Sequence, residues 1–187
     1  MRLFVALSPP PEVLAEVAGA VGACPERWPD LRWVAGETWH ITMAFLGEVP
    51  ERALPELRTR LARAAGRHAP MTLRFEGAGA FPSARRARVV WLGLAGGGTA
   101  ISRLAASLAA GAARAGAVDA DRKPFHPHLT LARARPRDGL DARPLVEELK
   151  DFGGTPWRAE TVHLMRSHLG PRTRYEALGS WPLGGGG

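Results

Sequence analysis

The sequence is short of the residues that would bind it together covalently or hold a metal. One cysteine, Cys24, stands among 187 residues, so no internal disulfide can form and no thiolate cluster can ligate a metal. No metal and no cofactor are expected, and a cytoplasmic location is. No apolar run approaches the ~20 residues that a membrane helix needs, so no membrane partner is expected. The first apolar stretch, Leu3 to Leu7, is cut off by three prolines. It falls short of the ~7–15 residues of a secretory signal and reads as a first β-strand.

Lysine is almost as scarce. Lys123 and Lys150 are the only two, so arginine supplies nearly all of a balance of 25 basic against 18 acidic residues, net charge +7 and pI near 11.0. Guanidinium forks bind phosphate bidentately, and a polyanionic partner such as RNA is one reading. A GC-biased genome explains the same arginine-to-lysine ratio, so charge alone identifies no partner. What remains is ordinary globular composition, 45% hydrophobic and 23% charged. A chain of this size buries ~70% of its unfolded surface. We expect one domain over residues 1–187 made of two packed lobes, with the glycines at 184–187 a flexible tail, and a monomer.

Periodicity predicts a regular alternation. "RLFVALS" is β-prone, and "PPPEVLAEVAGAVGAC" carries Val13, Leu14, Val17 and Val21 at helical spacing. The prolines of "CPERWPDLRWV" are expected to break helix before a short strand near Arg32–Val34. "TWHITMAFLG" reads as a strand, residues 50–68 as a helix with Leu54, Leu57 and Leu61 on one face, and "MTLRFEGAGAF" and "ARVVWLGLA" as strands. The second half repeats the plan: a helix with Ile101, Leu104 and Leu108, a strand in "FHPHLTLARA", a helix in "LDARPLVEELKDF", then strands in "WRAETVHLMRSHL" and "TRYEALGSWPL". The expected fold is α+β and duplicated, with a pseudo-twofold axis.

The duplication has a chemical counterpart. "WHITMAFLG" and "HPHLTLARA" share His-x-Thr-apolar, with His40 and His128 separated by 88 residues and occupying the same slot in each half. Side chains alternate along a strand, so His40 and Thr42 share one face while Ile41 and Met43 take the other, with Phe45 continuing the apolar row. His128 and Thr130 are set against Leu129 and Leu131 in the same way. Two imidazoles on opposite sides of one phosphorus suit in-line phosphoester chemistry, one taking a proton from water and the other giving one to the departing oxygen. Histidine's unperturbed pKa of ~6.5 allows both forms near neutrality. The threonine hydroxyls are placed to donate to the non-bridging oxygens.

With both motifs in view, the chain resembles the two-histidine (2H) phosphoesterase superfamily, and within it the RNA 2′,3′-cyclic phosphodiesterases once called 2′-5′ RNA ligases. The resemblance runs nearly full length, through "RLFVALSPP", "RWVAGETWHITMAFLGEV", "FHPHLTLARA" and "LMRSHLGPRTRYEAL". It implies two antiparallel sheets facing each other across a central cleft, with helices outside. It also implies hydrolysis of 2′,3′-cyclic phosphate at RNA 3′ ends to a 2′-phosphomonoester, with no protein partner. By position, His40 resembles the proton donor, His128 the proton acceptor, and Thr42, Thr130 and Arg133 substrate-binding residues. Arg133 is an odd number of residues from His128, so strict alternation puts it on the core face; either the strand bulges or ends near Ala132, or Arg133 is structural. Ligation through a 2′-5′ bond and a non-catalytic RNA-end or nucleotide-binding module are the alternatives.

Other histidines have plainer readings. His126 and His128 form a possible zinc pair, but no Asp or Glu lies inside either tetrad; more simply Pro127 separates an exposed His126 from His128, with lining of the cleft as the alternative. His68 is expected to cap its own helix, and His163 and His168 to be surface or core. Trp39 is expected in the core. Gly96–Gly98 lack the ending of a phosphate loop and are read as a turn.

Overall fold

The computed structural model describes residues 1–117 and 123–185, so the last two glycines of the expected tail lie outside the described residues. In chain order it forms β1 (Arg2–Leu7), α1 (Pro11–Val21), α2 (Cys24–Arg27), β2 (Leu31–Trp33), β3 (Ile41–Glu48), α3 (Leu54–Gly66), β4 (Met71–Phe81) and β5 (Val89–Ala95). There follow α4 (Ala100–Arg114), β6 (His128–Ala134), α5 (Arg143–Leu149), β7 (Trp157–Ala159), β8 (Thr161–His168) and β9 (Arg174–Pro182). No helix among the described residues is long and apolar enough to cross a membrane.

The fold is α+β and duplicated, as expected, with a strongly curled antiparallel sheet. Its strand order is β7-β4-β5-β6-β3-β1-β8-β9, with β2 against β6. The two halves, β7-β4-β5-β6 and β3-β1-β8-β9, meet at a single registered pair, Ile41 with Leu129.

The repeats are exchanged. Outward from the centre, β6 is followed by β5 and β4, and β3 by β1 and β8. The repeating unit is therefore β1-α1-β3-α3-β4 followed by β5-α4-β6-α5-β8. Strand β4 of the first pairs with β5 of the second, while β8 of the second pairs with β1 of the first. Strand β5 thus opens the second repeat as β1 opens the first, each followed by a helix and then a motif strand.

One face of the sheet makes the core. Leu3, Val5, Leu7, Ile41, Met43, Leu129 and Leu131 pack with Val13 and Val17 of α1, Leu57 and Leu61 of α3, Leu104 and Leu108 of α4, and Leu145 of α5. The helices bury the periodic positions expected of them, and Pro11 sits at the start of α1 where its missing N–H costs nothing. Phe4 and Ala6 are also buried, at 5% and 1% exposure, yet they lie outside that cluster. They belong to the opposite face.

Three local expectations are corrected. Residues 24–27 form a helical turn, because Pro25 occupies its first turn, where proline is tolerated. The stretch 157–169 is two strands: β7 pairs with β4 at one edge, and β8 with β1 near the other, with only Glu160 between them. His68 does not serve as a cation closing α3; its Nε2 pairs with Ser107 Oγ of α4 at 2.7 Å. Burial, then Arg67 and Arg103, push its pKa down, so the neutral ring is favoured.

Leu129 is fully buried at the single joint between the halves. Leu129→Ala should cost about 2–5 kcal/mol in a denaturant melt; a change below that range would mean the joint is not tightly packed.

Candidate active site

Two bulges shape the face opposite the core. Across β1 and β3, Ala6 pairs with Thr42 and Val5 with Ala44, so Met43 is the extra residue. Across β5 and β6, Trp91 pairs with Thr130 and Val90 with Ala132, so Leu131 is extra. Each bulge lies three residues after a motif histidine, and each reverses the alternation beyond it. Leu131 and Ala132 are consequently both fully buried, and Arg133 returns to the face of His128 and Thr130. The bulge settles the parity question raised by the sequence. The same device corrects the reading of Phe45, which does not continue the apolar row; it pairs with Phe4 and is 49% exposed.

The joint between halves assembles the four motif residues. Antiparallel pairing of Ile41 with Leu129 sets His40 beside Thr130 and Thr42 beside His128, all on one face. Each imidazole is held the same way. His40 Nδ1 donates to the Thr38 carbonyl at 2.8 Å, and His128 Nδ1 to the His126 carbonyl at 2.6 Å. A carbonyl only accepts, so Nδ1 carries the proton in both rings and the neutral form leaves Nε2 as a free acceptor. Thr42 Oγ1 donates to His40 Nε2 at 3.0 Å.

Aromatic walls flank both rings. Phe4 lies 4.7 Å from His40 between centroids, and Tyr175, from β9, meets His40 edge-on at 5.1 Å. On the other side Phe81 meets His128 edge-on at 5.1 Å and His126 edge-on at 5.2 Å, and Trp91 packs against both Phe81 and His126 at 5.2 and 4.9 Å. Gly79 makes room for Trp91, since a Cβ there would sit 2.5 Å from the indole. Phe4, Phe81, Trp91 and Tyr175 were not singled out from sequence. Phe4 is one apolar residue in an apolar run, and Tyr175 is brought in by a strand pairing that the sequence does not display. His126 is exposed, as its simpler reading had it, with its ring 6.2 Å from that of His128 between centroids. Among the described residues no three His, Cys, Asp or Glu side chains are grouped closely enough to hold a metal. His163 pairs with Ser180 at 2.7 Å and His168 with Glu176 at 2.8 Å, both on the β8–β9 ribbon. Trp39 packs against the core as expected.

The site is electropositive and partly desolvated. Burial pushes the pKa of His40 down first, and the charges of Arg133 and His128 push the same way against the Thr38 hydrogen bond. Burial likewise lowers His128, with the charges of His126 and Arg133 adding to it. Burial raises the Tyr175 hydroxyl, while Arg133 and Arg2 oppose it. The Arg133 charge thus bears on His40, His128 and Tyr175, although its side chain is exposed and has no ion pair among the described residues. An anion between these groups would relieve the repulsion.

An exchanged α+β duplication with a His-Thr pair from each repeat on one face defines a recognised class. The family model described as the 2′-5′ RNA ligase superfamily matches residues 6–171, and the chain belongs to that superfamily. An Escherichia coli protein named RNA 2′,3′-cyclic phosphodiesterase is 35% identical over 187 residues, covering 97% of this chain and 96% of that protein. An Aquifex aeolicus protein of the same name is 29% identical over 124 residues, 65% of this chain and 66%, just under two thirds, of that protein. The crystal structure of E. coli LigT complexed with 3′-AMP matches with a TM-score of 0.77 at 31% identity, covering 97% of each chain.

The depressed histidines carry a stability signature. Below pH ~6.5 the unfolded chain takes up protons that the folded site refuses, so stability is lost as pH falls through about 6.5, the ordinary histidine value. Thermal melts between pH 5 and 8 should show this fall, and His40→Asn should make it shallower. An unchanged slope would mean His40 is not desolvated.

Proposed function

We propose that this protein hydrolyses RNA 2′,3′-cyclic phosphate ends to 2′-phosphomonoesters by metal-independent acid–base catalysis between His40 and His128. The observation that carries the reading is the matched pair of imidazoles, each fixed at Nδ1 by a carbonyl two residues upstream, presenting Nε2 on one face of adjoining strands. The activity named for relatives similar over most of this chain supports it.

In this mechanism the terminal cyclic phosphate lies over the four motif residues. His128 Nε2 accepts a proton from water as its oxygen bonds to phosphorus. The P–O3′ bond breaks opposite, and protonated His40 gives its Nε2 proton to O3′, leaving a 3′-hydroxyl and a 2′-phosphate. The substrate's negative charge favours the His40 imidazolium that the empty site disfavours. Once Nε2 carries a proton it no longer accepts from Thr42, so that hydroxyl turns to a non-bridging oxygen alongside Thr130. Arg133 supplies charge to the same oxygens. The single buried thiol of Cys24 agrees with a cytoplasmic setting.

A 3′-cyclic-phosphate oligonucleotide should yield a 2′-monophosphate, at a rate unaltered by EDTA. His40→Ala and His128→Ala should each lose on the order of 10²–10⁴ in kcat, and Thr42→Ala on the order of 10². Near-full activity in either histidine variant would overturn the mechanism. Because both rings are depressed in the free enzyme, both limbs of the kcat/KM profile should lie below about pH 6.5. A maximum above neutrality would contradict the desolvated pair.

A further inference from the structure

Strands β2 and β3 are two segments of one interrupted strand. Leu31, Arg32 and Trp33 pair with Ala134, Arg133 and Ala132, and the Val34 N–H donates to the Leu131 carbonyl at 2.8 Å. The chain then leaves β6, makes the short turn that supplies the Thr38 carbonyl, and returns with Ile41 against Leu129. Arg32 is thereby aligned with His40 and Thr42 along the same side of β6. Its neighbour Leu31 is buried in the core, so Arg32 takes the opposite face, directly across from Arg133.

That juxtaposition is unfavourable in the free protein. Like charges on directly opposed strand positions repel, and both side chains are exposed with no ion pair or side-chain hydrogen bond among the described residues to relieve them. The strand is nevertheless anchored there. The Arg135 N–H donates to the Asp30 carbonyl at 2.9 Å and Arg135 Nε to the Pro29 carbonyl at 3.1 Å. Two guanidinium groups held side by side form a site for an anion with several acceptor oxygens. The reacting phosphate does not require this second arginine, since two histidines, two threonines and Arg133 already surround its place. Arg32 stands beyond them, roughly 7–10 Å along β6 from Thr130.

We propose that Arg32, with Arg133, binds the phosphodiester immediately 5′ to the terminal nucleotide, so that the site selects an RNA strand over a free nucleotide. This rests on the phosphodiesterase reading above. Phosphate-directed arginines also make binding salt-dependent, at about one unit of log–log slope per contact.

The test compares two ligands, a fluorescent oligoribonucleotide ending in a 2′-phosphate and the corresponding nucleoside 2′-monophosphate. Arg32→Ala should weaken the oligonucleotide about tenfold and reduce its salt slope by about one, while binding of the mononucleotide stays the same. Arg133→Ala should weaken both. Removal of one of two facing charges should leave the melting temperature of the free protein unchanged or raised, which separates lost contact from lost fold. If Arg32→Ala weakens both ligands equally, or neither, the assignment is wrong. Should the wild type still hydrolyse a cyclic phosphate in that case, only the Arg32 assignment falls. Failure of the wild type to bind either ligand, together with failure to hydrolyse a cyclic-phosphate end, would remove both readings.

Discussion

The site depends on one short contact between strands, the pairing of Ile41 with Leu129. Antiparallel register is all-or-none: a slip of one residue would turn over the strand that slips, sending its histidine into the core and its apolar side chains into the cleft. The fully buried aliphatic side chains at this joint secure the register from below. The polar quartet above it is held by packing that it does not itself provide. Backbone carbonyls then complete the arrangement by choosing the tautomer of each ring.

Desolvation and positive charge act together on this quartet. Either alone would depress an imidazole; in combination they favour the neutral form of both rings. Charge repulsion among Arg133, its facing arginine and the imidazolium forms is relieved by one class of ligand. In the proposed mechanism, binding and activation of the acid are the same electrostatic event, which would let a histidine with a depressed pKa serve as the proton donor.

Much of this was legible before any coordinates. The 88-residue spacing of two identical tetrads, each after a strand–helix opening, located the duplication and the catalytic candidates. The failures come where long-range pairing overrides local pattern. Alternation cannot place Phe45 or Arg133, because an extra residue in each motif strand is seen only against its partner. The break between β7 and β8 did leave a trace: buried positions run 157 and 159, then 162 and 164, a change of parity at Glu160. The exchange of strands between repeats left none, since either arrangement buries the same residues. Tyr175 reaches the site only through that exchange.

The passage from β7 to β8 has a mechanical consequence. One residue carries the chain from the far edge of one half to a strand near the far edge of the other. Those outer margins are therefore tethered across the curled half-barrel. Hinge-like opening about the central joint would tear this tether. The two repeats should therefore lose structure in a single step, neither outlasting the other.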